Sequence, residues 1–291
     1  PGEPTGLAVR RAVAAVRRAK AEGGDRVAAH EPARDAAALE MSRLELDLAE
    51  APARGQMRLA YQSYFEVATG RVAGVEALLR WRHPLRGELA PAAFIPLAEA
   101  TGLILPLGNW ALRAALATAA GWPSRLSVAV NVSALQFHQP GFVAEVEAAL
   151  EATGVAPDRL ELEITETVLM RDNPETKAQL DALIARGVRI ALDDFGTGYS
   201  ALAYLARLPH HRIKLDRSFV HDLGNPATLD LVRAILALAR KTGVMVTAEG
   251  VERPDQLDQV RALGFTHAQG FLTGPPVADP APLVAEATAA E

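Results

Sequence analysis

Between residues 57 and 271 the chain alternates between two textures. Short apolar, β-prone runs occur at 57–66 (MRLAYQSYFE), 71–81 (RVAGVEALLRW), 126–132 (LSVAVNV), 160–165 (LELEIT), 188–193 (VRIALD), 212–216 (RIKLD), 244–249 (VMVTAE) and 265–271 (FTHAQGF). Ala/Leu-rich stretches with helical spacing lie at 91–101, 106–120, 140–152, 174–186, 200–206, 226–242 and 254–263. Eight strands alternating with helices over roughly 230 residues predict an α/β fold, a TIM-type (β/α)8 barrel. The runs are nearly continuous in apolar character, as expected of strands covered on both faces. Only VATG, residues 67–70, joins the first two strands. That is too short for a crossover helix, so the barrel is a modified one with an antiparallel first strand.

A short helical segment precedes the barrel. Residues 6–22 read as a helix stopped by Gly23-Gly24, and residues 33–51 as a second helix between Pro32 and Pro52. The texture therefore divides the chain into 1–32, a helical connector at 33–52, and a barrel at 53–291. Because the chain opens on Pro1, it reads as a piece of a longer protein.

Composition narrows the function classes. The hydrophobic share of the 291 residues is 49% and the aromatic share 5%, so a large core is expected, built mostly of Ala, Leu, Val and Ile. A net charge of −5 argues against a polymeric nucleic-acid partner. The basic run Arg10, Arg11, Arg17, Arg18 and Lys20 reads as a solvated helix face. There is no cysteine, which leaves oxygen and imidazole as metal ligands and fits a reducing, cytoplasmic compartment. No apolar run of about 18 residues is present, so no membrane contact is expected within this stretch.

Polar residues punctuate the C-terminal parts of the strands: Glu76, Asn131, Glu163, the pair Asp193-Asp194, Lys214 with Asp216, Glu249 and Gln269. From Asn131 the spacings are 32, 30, 21, 35 and 20 residues, each about one strand–helix unit. In a barrel such positions converge on one mouth. An aspartate at a strand end often only caps the next helix, and for any single residue here that account serves as well. It does not serve for the set. Glu76, Glu163, Asp193, Asp194 and Glu249 face one matching cation, Lys214. Two carboxylates about 4 Å apart repel by about 4 kcal/mol at an effective dielectric of about 20. Either their pKa values rise or cations fill the mouth, and hard divalent ions, Mg²⁺ or Mn²⁺, are the natural guests. A carboxylate pair able to bridge two ions suits displacement at phosphorus.

These stretches resemble the EAL family of cyclic di-GMP phosphodiesterases. The resemblance is carried by VEALLRW at 75–81, HPLRGELAPAAFIPLAEATGLI at 83–104, NVS at 131–133, ELEITE at 161–166, DDFGTGYS at 193–200, IKLD at 213–216, AEGVE at 248–252 and QGF at 269–271, in the family's order over roughly residues 40 to 285. It implies hydrolysis of one phosphodiester bond of cyclic di-GMP to linear 5′-pGpG with two Mg²⁺ or Mn²⁺ ions. Glu76, Asn131, Glu163, Asp193, Asp194 and Glu249 would hold the metals, Lys214 would hold and polarise the attacking water, and Glu252 and Gln269 would support the metal and water shell. On the substrate side the resemblance places Gln62, Arg80, Asp216 and Gln269. Glu166 would anchor the DDFGTG loop, near a homodimer contact. Departures from the family pattern are Ser63 after Gln62, Ala201 after GTGYS, the histidines of LPHHRIKLD, and QGFLTGPPV without a basic residue before its last proline. None falls on an implied metal ligand.

The leading stretch AVRRAVAAVRRAKAEGGDRVAAHEP resembles the end of a GGDEF domain, which would make residues 1–32 the remnant of an upstream domain. Two other functions compete with the phosphodiesterase. One is a cyclic di-GMP receptor that binds without cutting, which loss of metal ligands would favour. The other is an unrelated metal-dependent barrel enzyme, for which no Schiff-base signature is found.

Overall fold

The computed structural model describes residues 32–123, 125–169, 174–196 and 211–289, with isolated positions before residue 32. The helices expected over 6–22 and 200–206 lie largely or wholly outside the described residues.

Among the described residues the strands are β1 Met57–Glu66, β2 Val72–His83, β3 Gly87–Leu89, β4 Ser127–Val132, β5 Leu160–Thr165, β6 Arg189–Phe195, β7 Arg212–Leu215, β8 Met245–Ala248 and β9 His267–Ala268. Their order is β1-β9-β8-β7-β6-β5-β4-β2-β3, and a further β1–β2 pairing closes the ring. The pairings β2–β4, β4–β5, β5–β6, β6–β7, β7–β8 and β8–β9 are parallel. β1 runs antiparallel to both of its neighbours, β2 and β9. The short VATG connection dictates this, since an antiparallel pair needs no crossover. β3 was not anticipated. The chain turns after His83 and pairs back, Trp81 with Leu89 and His83 with Gly87. A three-residue strand with one apolar side chain leaves no periodic signal.

The last two barrel strands are shorter than their apolar runs. The hydrogen-bonding line still continues past each, with Glu249 N donating to Leu215 O at 3.1 Å and Gln269 N to Ala248 O at 2.9 Å. The helix run at 91–101 resolves into a one-turn 3₁₀ segment, Pro91–Ala93, and a helix, Ile95–Thr101, hinged on the fully buried Phe94.

The near-continuous apolar strand holds for part of β4 but fails for β5 and β7. In LELEIT and RIKL, apolar and charged residues alternate although every position of RIKL and all but the last of LELEIT are buried. Leu160, Leu162, Ile164, Ile213 and Leu215 join the main core with Leu116, Val146, Leu180, Leu183 and Ile235 of the surrounding helices. Glu161, Glu163, Arg212 and Lys214 face one another across the barrel interior. The interior is thus charged where most barrels of this kind pack aliphatic layers. A second core joins Leu44 and Leu48 of the N-terminal helix Pro32–Glu50 to Trp81, Phe94, Ile104 and Leu107.

One-turn helices follow three strands directly: Ala134–Phe137 after β4, Glu166–Leu169 after β5 and Arg217–His221 after β7. They are too short for a helical period to show in sequence. Ser133 and Asp216 cap two of them, accepting hydrogen bonds from Gln136 N and Ser218 N.

Candidate metal centre

The strand ends bring the acidic residues to one mouth around Lys214. Its ammonium lies 2.9 Å from Glu163 Oε2, 2.9 Å from Glu249 Oε1, 3.0 Å from Asp193 Oδ1 and 3.4 Å from Glu76 Oε2. Glu76 also accepts from Asn131 Nδ2 at 2.8 Å and from Gln269 Nε2 at 2.7 Å. Glu76, Glu163, Lys214 and Gln269 are buried, whereas Asn131 is exposed at the rim.

This crowding displaces their protonation equilibria. Burial acts to raise Glu76, but Lys214, Gln269 and Asn131 more than offset it and hold the carboxyl below its ordinary value. Burial and the neighbouring Glu76 push Glu163 well above the usual carboxylate range despite Lys214. Glu249 is pushed up to about 8, by burial first and then by Asp193 and Glu76 against the pull of Lys214. Asp194 is raised by burial and by Asp193 beside it. Burial works against the charge on Lys214, yet the surrounding carboxylates lift it well above its ordinary value. A single ammonium faces four carboxylates within 3.4 Å, and a divalent cation would offset the carboxylate charge that raises these groups.

Two adjacent aspartates on a regular strand would point to opposite faces. β6 avoids this by breaking its ladder: the β6–β7 register shifts between Leu192 and Phe195, and Asp194 has φ of 51°. Positive φ is uncommon outside glycine but tolerated by aspartate. One carboxylate oxygen each of Asp193, Asp194 and Glu249 consequently lies within 4.8 Å of the others.

The donor set fits a hard cation. It is all oxygen, as Mg²⁺ and Mn²⁺ prefer. Gln269 Oε1 and Asp193 Oδ1 are both buried without a well-directed hydrogen bond among the described residues, although Asp193 Oδ1 sits near the Lys214 charge. Buried polar atoms in this condition call for an ion or ordered water.

The other implied residues are placed as follows. Gln62 lies beside Gln269, accepting from its Nε2 at 3.3 Å, and donates to Gly274 O at 3.0 Å. Arg80 pairs in register with Arg58 across β1–β2 and donates to Leu79 O at 2.9 Å. Burial and the nearby Arg58 lower its pKa. Asp216 caps the helix Arg217–His221; burial acts to raise it, but the hydrogen bonds from Ser218 carry it below its ordinary value. Glu252 is exposed on the loop after β8, its N–H donating to Gln256 Oε1 at 2.9 Å. Glu166 Oε1 accepts from Gly196 N at 2.8 Å, at the start of the loop whose remainder lies outside the described residues.

Sequence reasoning missed the layer beneath the mouth. Arg212 Nε lies 3.0 Å from Glu161, its Nη1 donates to Thr247 Oγ1 at 3.1 Å, and its guanidinium sits 4.5 Å from the Tyr64 ring centroid. Glu161 and Arg212 are almost wholly buried. The signal was present as Glu-x-Glu on β5 and Arg-x-Lys on β7, since charges two apart on a strand share a face.

Comparison with known proteins bears on this geometry. The EAL domain family matches residues 45–276. The Pseudomonas aeruginosa bifunctional diguanylate cyclase/cyclic di-GMP phosphodiesterase MucR is 42% identical over 269 residues, covering 91% of this chain and 39% of MucR. The cyclic di-GMP phosphodiesterase NbdA of the same organism is 42% identical over 240 residues, covering 81% of this chain and 31% of NbdA. The chain thus spans well under half the length of these relatives. The solved PaMucR phosphodiesterase in complex with c-di-GMP superimposes with a TM-score of 0.78 at 42% identity, covering 82% of this chain and 99% of that one.

Proposed function

The chain belongs to the EAL domain family, and we propose that it hydrolyses one phosphodiester bond of cyclic di-GMP to give linear 5′-pGpG. The observation that carries this reading is the meeting of Asp193, Asp194 and Glu249 oxygens within 4.8 Å, with Lys214 beside them. Relatives named as cyclic di-GMP phosphodiesterases support the substrate.

Two Mg²⁺ or Mn²⁺ ions held by Glu76, Asn131, Glu163, Asp193, Asp194 and Glu249 would neutralise phosphate charge and make water nucleophilic near neutral pH. The chain's own groups do the rest. Lys214, fixed between buried carboxylates, orients the attacking water. Glu249, Glu252 and Gln269 complete the surroundings of that water. Arg80 offers a planar fork to a phosphate or a guanine edge, with Gln62, Asp216 and Gln269 on the same substrate. Water attacks phosphorus, the bond to the ribose 3′-oxygen breaks, and that oxygen leaves with a proton as the 3′-hydroxyl.

The reading extends to a homodimer formed through the barrel, a cytoplasmic site of action, an upstream GGDEF-like remnant at 1–32 and a connector at 33–52. Among the described residues no helix is long and apolar enough to cross a membrane.

Incubation with cyclic di-GMP and Mg²⁺, followed by chromatography, tests the proposal. The expected product is 5′-pGpG, formed only when metal is present. Intact bound cyclic di-GMP would identify a receptor, and metal-independent cleavage would refute the assigned site.

A further inference from the structure

The metal-cluster carboxylates come from two strand ends, Asp193 and Asp194 from β6 and Glu249 just past β8. The β6–β7 ladder slips between Leu192 and Phe195, where both aspartates sit, and resumes only at Phe195–Leu215, so the aspartates themselves are not fixed by strand pairing to β7. One short element touches both ends. The helix Arg217–His221 follows β7, starting three residues after Lys214, and Asp216 fixes its start by accepting from Ser218 N.

Each contact runs through a glycine. Gly196, two residues after Asp194, has φ of +95°, and a Cβ there would lie 2.4 Å from Phe219 Cζ and 2.6 Å from Cε2. The Phe219 ring therefore lies flush against the Gly196 backbone. Gly196 N also donates to Glu166 Oε1 at 2.8 Å, a second restraint on the same strand end. Gly250, directly after Glu249, has φ of +67°, and a Cβ there would lie 2.4 Å from Arg217 Cβ and 3.2 Å from its Cα. Interiors are close-packed, so contacts this tight transmit displacement instead of absorbing it.

We infer that Phe219 and the Arg217–Gly250 contact are the positioning elements that set the distance between the Asp193–Asp194 and Glu249 carboxylates, so that the helix Arg217–His221 is a spacer for the metal centre. Neither Phe219 nor Arg217 is among the implied metal ligands, and the contacts they make here are with the backbone at the two strand ends. Residues of this kind commonly matter to metal affinity by about 10- to 100-fold. The inference rests on the metal reading above.

The test is Mn²⁺ titration of the purified chain, followed by the electron paramagnetic resonance of free Mn²⁺, with thermal melting alongside. Phe219→Ala and Gly250→Ala are expected to weaken Mn²⁺ binding about 10- to 100-fold. Phe219→Leu, which keeps an apolar side chain against Gly196, restores most of the affinity. Gly243→Ala is the control. Gly243 has φ of +74° with nothing within 4 Å of an added Cβ, so it imposes the backbone strain without the contact. It should lower the melting temperature and leave Mn²⁺ affinity unchanged. Wild-type affinity in both Phe219→Ala and Gly250→Ala, or an equal loss in Gly243→Ala, overturns the inference. If Phe219→Ala does not fold, Phe219→Leu and Gly250→Ala decide the matter. A wild-type chain that binds no Mn²⁺ overturns the metal reading and takes the inference with it.

Discussion

Glu163 on β5 and Lys214 on β7 meet at 2.9 Å across the intervening strand β6. They can meet because the β6 residue in register with Glu163 is the small, fully buried Ala191. The ion pair Glu161–Arg212 repeats the arrangement one inward-facing position earlier on the same strands. The upper pair lies within the acidic cluster. The lower pair is sealed beneath it.

Lys214→Ala should lower turnover about 100-fold or more, in the range expected for loss of a group that positions the proton-transferring water. Cyclic di-GMP affinity should change little by comparison. Steady-state kinetics alongside calorimetry separates the two, and a pure affinity loss would remove Lys214 from the chemistry.

Glu76→Ala or Asp193→Ala should abolish turnover with the circular dichroism spectrum and cooperative melt retained. Each deletes an implied metal ligand, while the apolar outer faces of the strands still pack in the main core. Full activity in either variant contradicts the assigned roles.

Much of this architecture was legible in the sequence, and the reasons are specific. Alternating apolar runs at unit-length spacing predicted the barrel, and the four residues VATG predicted the antiparallel β1, because chain length alone forbids a crossover. Converging strand ends placed Glu76, Glu163, Asp193, Lys214 and Glu249 together. The bulge that turns Asp194 was not legible, since it depends on a backbone torsion that no composition encodes. Nor was the spacer role of Phe219, which rests on tertiary contact with a glycine distant in sequence. The capping of Ser218 by Asp216 is the ordinary reading of an aspartate at a strand end.

Breaking the sealed pair should cost more stability than removing it. Arg212→Met leaves the fully buried Glu161 without its ion-pair partner, at about 3–5 kcal/mol, whereas the double variant Glu161→Leu/Arg212→Met should recover most of that loss. Urea denaturation of both variants checks this; equal destabilisation would show that packing around Tyr64 dominates instead.

Acid should destabilise the chain partly through His267. Burial, reinforced by Arg212, pushes this imidazole down to about 3 from an ordinary value of 6.5. The unfolded chain therefore binds a proton between those values that the folded chain refuses. Stability falls as pH drops below about 6.5, by about 2 kcal/mol from this group at pH 5, and the loss is complete below about 3. His267→Gln should flatten that part of the stability–pH curve relative to wild type. An unchanged slope would mean that His267 accepts its proton in the folded state.

The most direct test of the central claim is metal stoichiometry. Equilibrium dialysis against Mn²⁺ with elemental analysis should find two ions per chain, retained against Na⁺ and removed by chelator, and fewer in Asp193→Ala. A wild-type chain that emerges from saturating Mn²⁺ with none bound would contradict the account.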